Sequence, residues 1–426
     1  MDKTAYKIHI VGGGLSGLIA AKVLEANGYH PTVIEASGRL GGRLKTDLIE
    51  GYQLDHGFQV LLTDYPAAKK HLDFEALNLQ RFYSGAVLFN GGKPQTIGDP
   101  LRDPSLLFKT LWANVGSVAD KLKILRLNRM LKQKPLETIF NTKETTTLDY
   151  LKQFGFSDSI IQSFFRPFFS GIFLEPHLAT SSRMFEFVYK MFGSGHAALP
   201  KNGIQAIPEQ LKTELKHTTF RLNTRVHAVK DDKIILEDGK ELPSHFTIVA
   251  TAPEQLIFNL KSQKLGWKSC ETFYFETESR VISKPLIGLI SNTEALINNI
   301  FYHTSLKTSG SAKKELLSVT VVKDTDMDDI GLRKQVVQEL KDHCKIESVR
   351  FLKQYSIPYA LPDLKNIQYD IAPTETKIKD TIFLAGDHLL NGSLNAAMLS
   401  GERAAQGLME VLEERPDLAH FTSDSL

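Results

Sequence analysis

The sequence predicts an α/β fold (α+β overall) built from two interleaved domains, and three observations carry this. An apolar run, Lys7 to Val11, leads straight into Gly12-Gly13-Gly14-Leu15-Ser16-Gly17. An apolar-periodic stretch from Leu15 to Ala26 follows, and a second strand-like run from Pro31 to Ile34 ends on Glu35. This is the βαβ start of a Rossmann-like domain with a parallel sheet, ββα in type. Second, 426 residues exceed what one simple core holds. Third, strand-like stretches recur in the middle and at the end of the chain, so remote segments must return to a shared sheet.

The glycines are placed for a phosphate. Gly12, Gly14 and Gly17 occupy the G-x-G-x-x-G positions. Gly12 permits the tight turn, Gly14 lets a phosphate approach bare backbone, and Gly17 lets helix and strand pack closely. Leu15 and Ser16 open a helix whose first N–H groups face a pyrophosphate. Glu35 stands roughly 20 residues beyond the glycines, where a carboxylate accepts hydrogen bonds from a ribose. Its charge would repel a 2′-phosphate, so NADP is not expected.

Composition excludes several classes. An apolar fraction of 42%, a charged fraction of 23% and a net charge of +2 describe an ordinary globular protein with no case for a nucleic-acid partner. Cys270 and Cys344 make a disulfide framework implausible and fit a reducing compartment. A first strand beginning by Lys7 leaves no room for a signal peptide, and no apolar run of roughly 18 residues is found. The expected location is cytoplasmic, with peripheral contact at the inner face of the membrane as an extension. No metal site is expected, and no oligomeric state is assigned.

After Glu35 comes Ala36-Ser37-Gly38-Arg39-Leu40-Gly41-Gly42-Arg43. Two glycines between two arginines suit a loop around a diphosphate, with exposed N–H donors and planar charged forks. Together, Gly12 to Gly17, Glu35-Ala36 and Arg39 to Arg43 resemble the FAD-binding head of the flavin-containing amine oxidase superfamily. That group includes protoporphyrinogen oxidases and phytoene (carotenoid) desaturases. The resemblance implies non-covalent FAD, with Arg39, Gly41, Gly42 and Arg43 around the pyrophosphate. It also places Leu54 to Val60 under the isoalloxazine, with Gly57, Phe58 and Gln59 as contacts. His56 there reads either as a flavin neighbour or as a structural histidine.

Residues 61 to 103 read as turns and short strands, including Ala86 to Phe89 before a hairpin-like Asn90-Gly91-Gly92. From Pro104 to Lys134 the pattern is helical, with Leu107, Leu111, Val115, Val118, Leu122 and Leu125 on one apolar face. Lys121, Lys123, Arg126, Arg129, Lys132 and Lys134 follow with no acid among them. This stretch reads either as a core-packing helix with a solvated basic face or as a helix on an anionic bilayer surface. Thr145 to Leu148 signals a helix start, and a second helical run begins near Asp158.

Phe164 to Phe173 is the most aromatic stretch in the chain. Phe165, Phe168 and Phe169 are candidate walls for an elongated apolar substrate, and Arg166 among them needs partners. Phe220 to Val229 and Ile234 to Glu237 read as strands before a turn at Asp238-Gly239, and His245 to Pro253 as a buried strand. The resemblance assigns adenine contact to the Val226 backbone. Residues 263 to 362 alternate strand-like runs with one helix, Gly331 to Lys341, and Tyr359 is the candidate substrate contact by the same resemblance.

At the C-terminus a buried strand ends in Gly386-Asp387, and Asn391 to Met398 opens a helix. The resemblance places Gly386 and Asp387 near the ribityl chain, and Ser393, Leu394 and Asn395 at the pyrimidine edge. A helix N-terminus there stabilises the negative charge that grows on reduction. The expected domains are thus an FAD-binding domain from 1–85, 200–262 and 370–426, and a substrate domain from 86–199 and 263–369.

Hydride transfer to flavin N5 needs orientation and a dry site more than an acid–base pair, so no side chain is singled out as catalytic. Ser393 falls where an amine oxidase carries an aromatic cage residue, and no lysine between 263 and 300 is placed at the flavin. Both departures favour a hydrophobic substrate, isoprenoid (carotenoid) or tetrapyrrole-like. The alternatives are an amine oxidase releasing hydrogen peroxide and a flavin-dependent isomerase without net redox.

Overall fold

The computed structural model describes residues 2–91, 93–98, 115–260 and 265–414. Its central element is a six-stranded sheet in the order Thr219–Arg221, Thr32–Ile34, Ile8–Val11, Phe246–Val249, Ile382–Leu384 and Lys377–Lys379. The first five strands are parallel and the last is an antiparallel edge. Every residue of Ile8–Val11, Phe246–Val249 and Ile382–Leu384 is buried, as a sheet covered on both faces requires. The helix Leu15–Ala26 packs against the long C-terminal helix Leu394–Glu414. Gly401 allows that crossing, since a Cβ there would sit 2.2 Å from the Ser16 carbonyl oxygen.

One strand expected from the sequence is two. Phe220 to Val229 divides into Thr219–Arg221, on the parallel sheet, and Val226–Val229, which pairs antiparallel with Lys233–Leu236 in a separate small sheet. The break is Asn223, whose φ is +50°. Alternating apolarity does not report a left-handed residue. The bend also lays Asn223 N on Ser37 O at 3.0 Å and Thr224 N on Glu35 O at 2.9 Å, fixing the segment that carries the acid.

A seven-stranded mixed sheet joins Gly85–Phe89 and Gln95–Gly98 to five strands between Gly266 and Asp363. Residues alternate across it. Phe273 and Phe275 pack under the helix Asp329–Cys344, longer at both ends than expected. Thr272 and Tyr274 face the other way.

The helical layer contains Thr147–Phe154, capped by the Thr146 hydroxyl, and Arg166–Phe173 and Ser182–Ser194. In the basic helix, Val118–Gln133, the buried stripe differs from expectation. Leu127 and Leu131 are buried, whereas Val118 is 67% exposed, Leu122 62% and Leu125 37%; Leu107 and Leu111 lie outside the described residues. The helix is pinned by Asp120, which accepts from Ser117 N at 2.8 Å, Ser157 N at 3.0 Å and Ser157 Oγ at 2.7 Å. Burial raises this carboxyl, but the hydrogen bonds outweigh it and hold it at about 2. The anchor decides the face, and period alone does not.

Candidate cofactor and substrate cavity

The glycine loop divides its work by side. Gly12 has φ +109°, and a Cβ on it would meet Ala250 O at 2.7 Å. Gly17 is pressed on Gly12, a Cβ falling 2.0 Å from its carbonyl oxygen, and therefore packs beneath the loop without lining this cavity. Gly14 faces open space, its nearest neighbour being the Gly42 Cα at 3.8 Å. The helix Leu15–Ala26 has Gly14 as N-cap with no side-chain cap, so its positive end opens on the cavity. Glu35 lines the same space. Its Oε2 accepts from Gly13 N at 2.8 Å, and Oε1 accepts from Ser37 N at 2.8 Å and Ser37 Oγ at 2.7 Å. An uncapped helix end, a bare glycine rail and a fixed carboxylate fit the pyrophosphate and ribose of a dinucleotide.

The second glycine loop folds over the first. Gly41 N donates to Gly13 O at 2.8 Å, and Gly41 and Gly42 both take positive φ. Arg43 lines the cavity, with Nη2 2.5 Å from Asp387 Oδ1, Nη1 donating to Ala360 O at 3.2 Å, and its guanidinium 5.5 Å from the Trp267 ring. Arg39 does not line it. It turns back to Asp47 at 2.9 Å and Thr46 O at 3.3 Å, because the half-buried Asp47 carboxylate on the strand Thr46–Ile49 competes for it. Three other expected contacts also stand off the cavity wall. Ala36 is exposed, and Val226 is buried in an apolar cluster with Ile34 and Val249. Asn395 is fully buried, with Oδ1 accepting from Ala67 N at 3.0 Å.

Gly57, Phe58 and Gln59 line the cavity, and Gln59 Nε2 donates to Arg43 O and His56 O, both at 2.9 Å. His56 is there as well, stacked on Tyr355 at 4.2 Å with Nε2 2.8 Å from Asp47 Oδ2. Burial lowers its pKa despite that neighbour. Burial would raise Asp47, but hydrogen bonds from Tyr355, His56 and Arg39 hold it at about 2. From the C-terminal segment, Gly386, Asp387, Ser393 and Leu394 line the wall. The Ser393 hydroxyl accepts from Ala396 N at 3.0 Å and donates to Asn391 Oδ1 at 2.7 Å, so it caps the C-terminal helix.

These segments line one cavity of about 1720 Å³ that continues into an aromatic chamber. Ligand sites run roughly 300–1,000 Å³, so this space suits a cofactor and a second molecule. Phe164 and Phe168 form part of its wall. Phe165 and Phe169 do not, being fully buried on the other side of the helix against Phe185 and Tyr189. Arg166 also points away and donates to Pro176 O at 2.6 Å. Tyr359 is 62% exposed at the rim, edge-on to Trp267 at 5.7 Å.

Several lining residues escaped the sequence reading: Trp267, Lys268, Cys270, Asn299 and Thr320. They sit on strands whose local alternation gives a face but not what covers it. Lys268 lies within the stretch where no lysine was placed; its Nζ is 3.4 Å from Thr180 Oγ1 and 3.7 Å from Asp363 Oδ1. Cys270 also reaches the cavity, but burial pushes its thiol up to about 12. A protonated thiol is a poor nucleophile, which favours a cofactor held without a covalent link.

The comparisons with known proteins agree with this geometry. A family described as flavin containing amine oxidoreductase matches residues 15–409. Mitochondrial protoporphyrinogen oxidase of Nicotiana tabacum is 26% identical over 168 residues, covering 39% of this chain and 32% of that protein. L-amino acid dehydrogenase of Synechocystis sp. is 28% identical over 280 residues, covering 57% of this chain and 55% of that protein. The matches thus span about a third to a half of these relatives. The crystal structure of a protein titled putative protoporphyrinogen oxidase from Exiguobacterium sp. 255-15 superposes with a TM-score of 0.68 at 18% identity, covering 96% of this chain and 99% of that one.

Proposed function

This chain belongs to the flavin-containing amine oxidoreductase family, and from that premise we propose that it is an FAD-dependent oxidoreductase acting on a hydrophobic substrate. The observation that carries the proposal is the single cavity that joins the glycine loop and Glu35 to the Phe164–Phe168 chamber. When bound, FAD supplies a hydride acceptor at N5. The chain's own part is binding and exclusion of water. Gly14 and the open helix end would take the pyrophosphate, Glu35 the ribose, and Arg43 with Asp387 the middle of the cofactor. The C-terminal helix would turn its positive end to the pyrimidine edge. The two-domain division supports the same reading: the six-stranded sheet draws on residues 8–34, 219–249 and 377–384, and the seven-stranded sheet on 85–98 and 266–363.

Apolar walls favour an isoprenoid or tetrapyrrole-like substrate, in keeping with the likeness to a protoporphyrinogen oxidase. Lys268 supports a second reading, an amine or amino-acid substrate, since it puts a lysine of the 263–300 stretch on the cavity wall. The purified protein is expected to carry oxidised flavin that heat or acid releases. Glu35→Ala should weaken FAD retention about tenfold or more, the worth of a charge-assisted hydrogen bond, with an unchanged far-ultraviolet spectrum. A colourless protein that takes up no added FAD would overturn the proposal.

The exposed Val118, Leu122 and Leu125 border the cavity on a helix rich in lysine and arginine. We read this as a docking face for an anionic bilayer; no helix among the described residues is long and apolar enough to cross one. Flotation with phosphatidylserine vesicles should be lost in Val118→Glu/Leu122→Glu. Equal flotation of the variant would discard the docking face.

A further inference from the structure

The floor of the aromatic chamber is the cavity side of the seven-stranded sheet, and its middle is polar. Strand register sets Thr272 beside Thr320 and Thr320 beside Asn299, and Cys270 follows on the same face. Cys270, Asn299 and Thr320 line the cavity although each is buried, at 8%, 2% and 4% exposure. The helix Arg166–Phe173 crosses above them at Gly171, where a Cβ would fall 2.6 Å from Asn298 Nδ2 and 3.0 Å from Asn299 Oδ1.

The hydrogen-bonding capacity of this patch is only partly used. Asn299 Oδ1 accepts from Asn298 Nδ2 at 2.9 Å, and Asn299 Nδ2 donates to Thr320 Oγ1 at 3.3 Å. An amide carries two N–H donors and a hydroxyl one. Among the described residues, the second Asn299 N–H and the Thr320 O–H therefore have no partner. Unmet donors in an apolar setting cost free energy unless a ligand meets them. The patch itself carries no charge: Lys268, further along the Cys270 strand, is held by Thr180 and Asp363. Neither an ammonium nor a carboxylate finds a counter-charge there, whereas Phe168, Ile172 and Ile287 surround it with hydrocarbon.

We infer that Asn299 and Thr320 form a specificity subsite for a neutral oxygen, a carbonyl or hydroxyl, carried on the hydrocarbon frame of the substrate. One carbonyl oxygen has two lone pairs, which match the free Asn299 N–H and Thr320 O–H. This rests on the reading of the chamber as the substrate site of a flavin oxidoreductase, and it narrows the substrate to an oxygenated apolar molecule.

The test is equilibrium dialysis of the holoenzyme against decanone, decane, decylamine and decanoate, which share one chain and differ in the head group. Decanone should bind about tenfold more tightly than the other three. In Asn299→Leu/Thr320→Val, close in shape to the native pair, that advantage should vanish while decane binding is unchanged. Asn299→Asp should move the preference to decylamine, which a misfolded protein would not do. Equal binding of decanone and decane, a preference for decylamine or decanoate in the native protein, or decanone selectivity that survives the double variant would overturn the subsite. Flavin content is measured on the same samples. Absence of FAD strikes the oxidoreductase reading alone, because dialysis scores the subsite without turnover.

Discussion

Gly14→Val should give a folded protein that holds no FAD, and Gly17→Val one that does not fold. Gly14 has φ −74° and ψ −178°, an extended conformation open to any residue, and its surroundings leave a Cβ unopposed within 3.8 Å. Valine there adds bulk only to the cavity, in the path proposed for the pyrophosphate. Gly17 is the opposite case. A Cβ would lie 2.0 Å from the Gly12 carbonyl oxygen and 3.3 Å from the Ala250 side chain, so the helix would have to leave the sheet. Overpacking of a core costs about 1–3 kcal/mol even where neighbours can yield, and the Gly12 backbone here cannot. With a domain's stability at about 5–15 kcal/mol, a soluble Gly17 variant is not expected. Visible flavin absorbance and thermal melting separate the two outcomes. A Gly14→Val protein with full flavin content would remove the loop from the cofactor site.

The second large effect concerns stability and lies away from the cavity. Glu402, 4% exposed on the C-terminal helix, sits 2.8 Å from His71 Nε2 and 2.5 Å from Lys70 Nζ. It fastens the short helix Pro66–His71 to the C-terminal helix, beside Asn395, which holds Ala67 N. The His71 hydrogen bond, with Lys70 behind it, outweighs burial and lowers the carboxyl from 4.5 to about 2. A depressed carboxyl stabilises the fold above its unfolded pKa. That contribution is present in full above pH 4.5 and is lost as pH falls from 4.5 towards 2. Glu402→Ala should cost about 3 kcal/mol at neutral pH, the scale for breaking a buried pair, and should flatten the acid limb of the stability curve. Urea melts at neutral pH and near pH 3 measure both. A variant as stable as the native protein at neutral pH would show that the pair contributes nothing.

The first strand, the glycine loop, the helix Leu15–Ala26 and the second strand were legible because local signals coincide there. Apolar runs, glycine spacing and a terminal acid all fall within forty residues, and a nucleotide-binding unit is itself local. The cavity wall beside the glycine loop was legible for the same reason, since Gly14, Glu35, Gly41 to Arg43 and Asp387 each stand in a recognisable segment and all line that cavity. The departures come where a side chain has two places to go. Arg39 was assigned by its neighbours in sequence and was taken by Asp47 in space. Phe165 and Phe168 are adjacent in composition and opposite in orientation. Val118 and Leu122 continue an apolar period but are exposed, because Asp120 and Ser157 fix the helix on its other face.

The sequence by itself determined a parallel βαβ unit with its glycine loop, and that remote segments return to its sheet and its cavity. Those properties follow from backbone needs, glycine clearance and burial on both faces, which nearby residues encode. The tertiary structure alone decided what the substrate half presents. Asn299, Thr320 and Cys270 come together only through the pairing of strands roughly 20 to 50 residues apart, and no local period records which strand lies beside which.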